Sequence, residues 1–214
     1  MSVSAAWTVL VPLRDLGGGK TRLAGVLSAA ERRALTCFAA GAVVSACRTA
    51  PSVARVVVVS GSDEASDWAR SVGAEGWRQP AEVSGLSRAM EAALSAHSAT
   101  GQGVALVMGD LPLASTAGVE RCLLRAAASP VTLVPSRSGA GTNLLAFAQG
   151  GTIELSLGAA DSLVRHRLAA RRAGLRVQTV RAATLALDVD EAADLTLLAR
   201  SPAARAALPF LARF

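Results

Sequence analysis

Short β-branched or leucine-rich runs, several of them apolar at nearly every position, recur along the 214-residue chain and are separated by alanine-rich stretches of helical length. A strand with no polar side must be covered on both faces, which calls for a sheet packed between helices. The runs are Trp7 to Leu13, Arg55 to Ser60, Val104 to Met108, Val131 to Pro135, Asn143 to Ala148, Arg176 to Val180 and Thr184 to Val189. Between them, Ser28 with Glu31 three residues on reads as a capping box opening a helix to about Arg48. Further helices are expected near Asp63 to Ser71, Leu86 to His97, Thr116 to Ala127, Ser162 to Arg172 and Glu191 to Arg200. Strand–helix alternation of this kind predicts an α/β fold, a three-layer sandwich with a mostly parallel sheet. No repeat and no linker divides the chain, so residues 1–214 read as one domain.

Sheets of this type bind ligands beyond the carboxyl ends of their strands, so the residues just after each strand carry the functional information. The first run leads into Leu13-Arg14-Asp15-Leu16-Gly17-Gly18-Gly19-Lys20-Thr21-Arg22. Consecutive glycines let a backbone close around a phosphate chain where a Cβ would obstruct it. Lys20 and Arg22 add positive charge, and Arg22 can grip phosphate oxygens in a bidentate manner. Lys20 is the only lysine in a chain with 22 basic residues. The Walker A pattern fails, because Arg14 stands where its first glycine is required, and GxGxxG fails at Arg22. A phosphate-binding loop outside those two classes is the expectation; an ordinary flexible turn is the alternative.

Carboxylates follow two later runs. Asp110, in Met108-Gly109-Asp110-Leu111-Pro112, lies just past an apolar strand, where it either holds a metal or caps a turn. Asp188 and Asp190 are two apart, so on extended backbone they point to one side, roughly 6.6 Å apart along the chain. Carboxylates so close repel each other, and a divalent cation removes that repulsion. Magnesium, which commonly takes one or two carboxylates plus substrate phosphates, fits such a site, and a pair of ions would also fit. Asp190 has a second reading as the cap of the helix that follows it. No Ser-His-Asp order and no GxSxG elbow supports a hydrolase.

The net charge of +6 raises the question of nucleic acid. Aromatic residues are only 3% of the chain, with no tyrosine, so there is no platform for stacking bases. The one basic concentration, Arg165, His166, Arg167, Arg171, Arg172 and Arg176, reads as a solvated helix face with some reach to an anion. A basic nucleic-acid-binding protein is therefore the disfavoured alternative, and small polyanionic substrates fit the charge equally well. His97 reads as exposed at a polar helix end. Cys37, Cys47 and Cys122 form no metal-type spacing and read as buried free thiols of a cytoplasmic protein. The opening segment lacks the pattern of a signal peptide, and no apolar stretch reaches the roughly 18 residues of a membrane span.

Six segments in order, VPLRDLGGGKTRLA, GLSRAMEAAL, MGDLPL, SRSGAGTNLLAF, LGAADSLVRH and LDVDEAADL, give the chain its family likeness. It resembles the 2-phospho-L-lactate or phosphoenolpyruvate guanylyltransferases (CofC/FbiD) of coenzyme F-420 biosynthesis, which have a Rossmann-like nucleotidyltransferase fold. The resemblance implies GTP at Gly17, Gly18, Gly19, Lys20 and Ser87, with Lys20, Arg22, Asp110, Asp188 and Asp190 as the catalytic set. It implies magnesium on Asp110, Asp188 and Asp190. It also implies a three-carbon phospho-acid at Thr142, Asn143, Gly158 and Ser162, with His166 bordering that pocket. The chain departs from the family pattern at Ser87 (usually Asn), Ser136 (usually Asp) and Leu157 (usually Phe), and its LG–S segment is one residue longer. Those positions bear on the base and acid preferences. Transfer to molybdopterin or a sugar phosphate is the nearest enzymatic alternative. The apolar tail Leu208-Pro209-Phe210-Leu211 packs either internally or on a partner subunit, so a homodimer stays open.

Overall fold

The computed structural model describes residues 7–98, 102–149 and 151–214. Seven strands, Trp7–Pro12 (β1), Val53–Ser60 (β2), Glu75–Arg78 (β3), Gly103–Val107 (β4), Val131–Pro135 (β5), Thr142–Phe147 (β6) and Val177–Thr179 (β7), form one sheet in the order β3-β2-β1-β4-β6-β5-β7. Neighbours run parallel from β3 to β4 and again between β5 and β7. Only β6 is antiparallel, to both β4 and β5. The mostly parallel α/β sheet is as the alternation predicts.

Side-chain alternation along the strands builds two cores. Val9, Val11, Val56, Val58, Ala105 and Val107 face one side, where Ala29–Arg48 (α1), Asp63–Ser71 (α2) and Thr116–Ala126 (α4) cover them. Leu10, Val57, Val59, Val104 and Leu106 face the other, against Leu86–His97 (α3) and Ser162–Arg172 (α5). The chain thus forms the expected three layers. The Ser28 capping box is present, with Glu31 N–H donating to Ser28 Oγ at 3.2 Å and Ser28 N–H to Glu31 Oε2 at 2.8 Å.

Two strand expectations change. β3 carries no strand signal in the sequence: it is a short edge strand paired only with β2, and its Glu-Gly-Trp-Arg sequence has no need of continuous apolar character. The run from Thr184 to Val189 is not a strand. Ala183–Leu185 make a 3-10 turn, and residues 187–190 are irregular and pair with no strand among the described residues. Their alternation instead seats Leu187 and Val189 in a third apolar cluster with Leu23, Leu27 and Leu35 and with Leu195 and Leu198 of Ala192–Leu198 (α6). The tail Pro202–Ala207 (α7) and Pro209–Arg213 closes this cluster, burying Leu208 and Leu211 against the same chain. The apolar tail therefore packs internally.

The end of β4 is held by a close approach that only glycine allows. A Cβ on Gly109 would lie 2.6 Å from the Pro12 carbonyl oxygen, a backbone atom of a neighbouring strand end that cannot swing aside. Overpacking of this kind destabilises by about 1–3 kcal/mol. Gly109→Ala is expected to lower the urea midpoint accordingly and to displace the adjacent Asp110; an unchanged midpoint would show that the strand ends separate freely.

Candidate active site

Because β6 runs against its neighbours, its first residues lie at the sheet edge where β4 and β5 end. Val107 pairs with Leu144 and Pro135 with Thr142, and the Met108 N–H donates to the Asn143 carbonyl at 3.0 Å. Beyond this edge lies a cavity of about 570 Å³ lined by Asp110 after β4, Ser136 and Arg137 after β5, Thr142 and Asn143 of β6, and the irregular stretch from Asp188 to Glu191. Arg22, Leu86, Gly158 and Ser162 complete the walls. A larger cleft of about 860 Å³ sits elsewhere, between the α3 and α5 ends and residues 151–154, and its lining holds no candidate residue.

Asp110, Asp188 and Asp190, far apart in sequence, thus face one space. The first is under most stress: Asp110 Oδ1 is sealed from solvent and has no hydrogen-bond partner. The residue keeps some exposure to the cavity, but burial still pushes its carboxyl up to about 6, with Lys20 pulling down and Asp190 and Asp188 pushing further up. Burial also raises Asp188, and Asp190 and Asp194 add to the rise. Oxygen donors in such a state suit a hard divalent cation. Among the described residues, however, no three or more His, Cys, Asp or Glu side chains are grouped so that they could hold a metal ion by themselves. The three aspartates share the cavity without forming such a group.

Lys20 reaches this acidic segment from the opposite side. Its Nζ donates to the Val189 carbonyl at 2.6 Å and lies 3.7 Å from Asp190 Oδ1, with the side chain only 7% exposed. It is the one non-glycine residue with positive φ among the described residues, at 55°. The glycines before it do not line the cavity. The Gly17 N–H donates to Asp15 Oδ1 at 2.8 Å and the Gly18 N–H donates to the same oxygen, so the turn closes on an anion of its own chain. Ser87 also stays off the lining; its hydroxyl accepts from the Leu157 N–H at 2.9 Å. Asn143 lines the cavity, but its amide donates to the Leu185 and Ala186 carbonyls at 2.9 and 3.1 Å, anchoring the turn that leads to Asp188.

Two residues of the site carried no clear sequence signal. Arg137 projects to the cavity, with its backbone N–H fixed on the Ala186 carbonyl at 2.7 Å and its guanidinium on Asp194 at 3.2 Å. Asp194 in turn accepts from the Asp190 and Glu191 N–H groups at 3.1 and 3.0 Å, so one carboxylate orients both the arginine and the acidic segment. Among 22 basic residues nothing marked Arg137 out. His166, expected at the pocket border, is instead fully buried behind it, while Arg165 beside it is exposed and paired with Asp161. His97 is half-buried, edge-on to Trp77, and not simply exposed. All three cysteines are free and Cys47 and Cys122 are buried. No described helix is long and apolar enough to cross a membrane.

Comparison with known proteins identifies the family of the chain. Residues 7–211 match the family described as guanylyl transferase, CofC like. The phosphoenolpyruvate guanylyltransferase of Rubrobacter xylanophilus is 36% identical over 194 residues, covering 90% of this chain and 93% of that one. The 3-phospho-D-glycerate guanylyltransferase of Phenylobacterium zucineum is 35% identical over 192 residues, covering 88% and 87%. In fold, the chain is similar to a Desulfovibrio desulfuricans G20 protein proposed as a nucleotide-diphospho-sugar transferase, with a TM-score of 0.79 over 98% of this chain and 95% of that one at 19% identity.

The stressed carboxylate has a pH signature. Asp110 binds its proton more tightly folded, at about 6, than unfolded, near 3.8, so its contribution to stability is full below about pH 3.8 and lost as pH rises through 6. Asp110→Asn is therefore expected to stabilise the ligand-free protein at pH 8 by about 1–3 kcal/mol and to flatten its stability between pH 4 and 6. Thermal unfolding across that range checks it; an unchanged or lower melting temperature at pH 8 contradicts it.

Proposed function

Since the chain belongs to the CofC-like guanylyl transferase family, we propose that it transfers GMP from GTP to a three-carbon phospho-acid, with phosphoenolpyruvate as the preferred acceptor, and releases pyrophosphate. The product would enter the biosynthesis of coenzyme F-420, and the enzyme would act in the cytoplasm on small molecules. The observation that carries the reading is the meeting of Asp110, Asp188 and Asp190 with Arg22 and Arg137 around one cavity.

The chemistry asks little covalent work of the protein. An oxygen of the acceptor phosphate is already anionic, so no general base is needed. It forms a bond to the α-phosphorus of GTP while the bond from that phosphorus to the bridging oxygen breaks in line, and pyrophosphate leaves with the electron pair. The obstacle is repulsion between two polyanions and their alignment. Arg22 and Arg137 offer guanidinium forks to phosphate or carboxylate oxygens, and Lys20 keeps a positive charge beside the acidic segment. Thr142, Gly158 and Ser162 form the wall given to the acid. Holding both partners in attack geometry contributes roughly 7–11 kcal/mol by itself. Asp110, Asp188 and Asp190 are the residues to hold magnesium; bound there with phosphate oxygens in its shell, the ion would offset charge on the triphosphate.

Pyrophosphate release from GTP with phosphoenolpyruvate, 2-phospho-L-lactate and 3-phosphoglycerate in turn tests the reading. Phosphoenolpyruvate is expected to give the highest kcat/KM, and Asp110→Ala and Asp188→Ala to lower kcat by about 100-fold or more while the fold is kept. Release with none of the acids, or full activity in a variant lacking both carboxylates, contradicts it. Arg137→Ala is expected to raise the KM for the acid about tenfold, the weight of a charge-assisted hydrogen bond, while leaving the KM for GTP nearly unchanged.

A further inference from the structure

His166 is fully buried, lies outside the cavity, and plays no part in the chemistry just described. Both of its ring nitrogens are nonetheless engaged. Nε2 lies 2.9 Å from the Ser156 backbone N–H, and Nδ1 lies 3.0 Å from Thr142 Oγ1. A backbone amide can only donate, so Nε2 must be the unprotonated nitrogen of a neutral ring. The ring proton is therefore on Nδ1 and is donated to Thr142 Oγ1. Burial pushes the imidazole down to about 4, so the neutral state holds throughout the physiological range.

That assignment decides what Thr142 can offer. Its oxygen accepts from His166 Nδ1–H and, more weakly, from the Ser162 hydroxyl at 3.4 Å. With both lone pairs engaged, the remaining function of the hydroxyl is its own hydrogen. No acceptor for it exists among the hydrogen bonds of the described residues, and Thr142 lines the cavity. A donor left over in this way suits an anionic oxygen and disfavours a group that must itself donate.

The Ser156 contact shows what sets the ring's orientation. Residues 151–156 have no regular secondary structure, yet three successive amides where this stretch ends, Leu155 to Leu157, are each held by a side chain. Leu155 N–H donates to Glu91 at 3.1 Å, Ser156 N–H to His166, and Leu157 N–H to Ser87 at 2.9 Å. This strap ends at Gly158, a cavity wall residue with φ of 80°. His166 thus joins the strap that carries Gly158 to the hydroxyl of Thr142.

We propose that His166 is a positioning residue for the acid substrate, its tautomer imposed by the Ser156 amide and its Nδ1–H turning the Thr142 hydroxyl hydrogen toward the substrate's carboxylate or phosphate. The inference rests on the phospho-acid reading for the identity of the anion, but the ring state does not depend on it. Long-range proton–nitrogen NMR of the labelled wild-type protein reads that state directly; His97 is the only other histidine and is removed by His97→Gln for assignment. A neutral ring protonated on Nδ1 at pH 7 is expected, and a ring protonated on Nε2, or on both nitrogens, overturns the proposal.

Steady-state kinetics supply the second arm. His166→Leu is expected to raise the KM for the acid about tenfold with kcat and the KM for GTP changed less than about threefold. His166→Asn, whose amide N–H can reach the same hydroxyl, recovers part of the loss, and the effect vanishes in a Thr142→Val background because the two act as one unit. An unchanged KM for the acid in a folded His166→Leu protein overturns the proposal, as does an equal loss against both substrates. Should the leucine variant fail to fold, the wild-type spectrum alone decides. Failure of the functional reading is distinguishable, since it shows as no pyrophosphate from the wild-type enzyme whatever the ring state.

Discussion

The Lys20 ammonium, lodged against the Val189 carbonyl and beside Asp190, joins two parts of the chain separated by 169 positions. On one side is the turn that follows β1; on the other is the acidic stretch that belongs to no strand. An almost buried cation is stable only where carbonyl or carboxylate oxygens replace its lost water. The contact therefore fixes both partners at once. It also explains the use of lysine in a chain otherwise reliant on arginine: a compact ammonium on a thin stem enters where a planar guanidinium would need a wider slot. Below it, the cluster of Leu23, Leu27, Leu187, Val189 and Leu195 supplies the apolar floor on which turn and stretch rest together.

Much of this arrangement is legible in the sequence, and the reasons are local. The helices α2, α3 and α5 begin and end where the sequence pattern places them, and the Ser28 capping box opens α1, because such signals act within a few residues. Asp110, Asp188, Arg22, Thr142 and Gly158 meet at one cavity as the ordered segments imply. What sequence reading lost depends on tertiary pairing. Residues 184–189 carry the alternation of a strand, yet the partner for their apolar side is a leucine cluster and not a neighbouring strand. β3 needs little apolar surface because it is an edge. The reversed direction of β6, which brings the start of a strand to the functional edge, is invisible to any rule about residues that follow strands. Arg137 could not be singled out before its partner Asp194 was located in space.

The site is also where the molecule is least at ease. Asp110 holds a sealed oxygen with no donor, Asp188 is pushed toward protonation, and Lys20 adopts a backbone conformation rare for a side-chain-bearing residue. These features work against stability in the ligand-free chain, and on the proposed reading a polyanion and a cation together would offset that cost.

The central claim is that the aspartates hold an ion jointly with the nucleotide and not as a closed protein cage. Electron paramagnetic resonance with manganese in place of magnesium tests it most directly, using a GTP analogue with a methylene group between the α- and β-phosphorus atoms. The account predicts manganese bound tightly to the protein only when the analogue is present, and much more weakly in the double variant Asp110→Asn/Asp188→Asn. Tight manganese binding without nucleotide, or equal binding by the double variant, would contradict it.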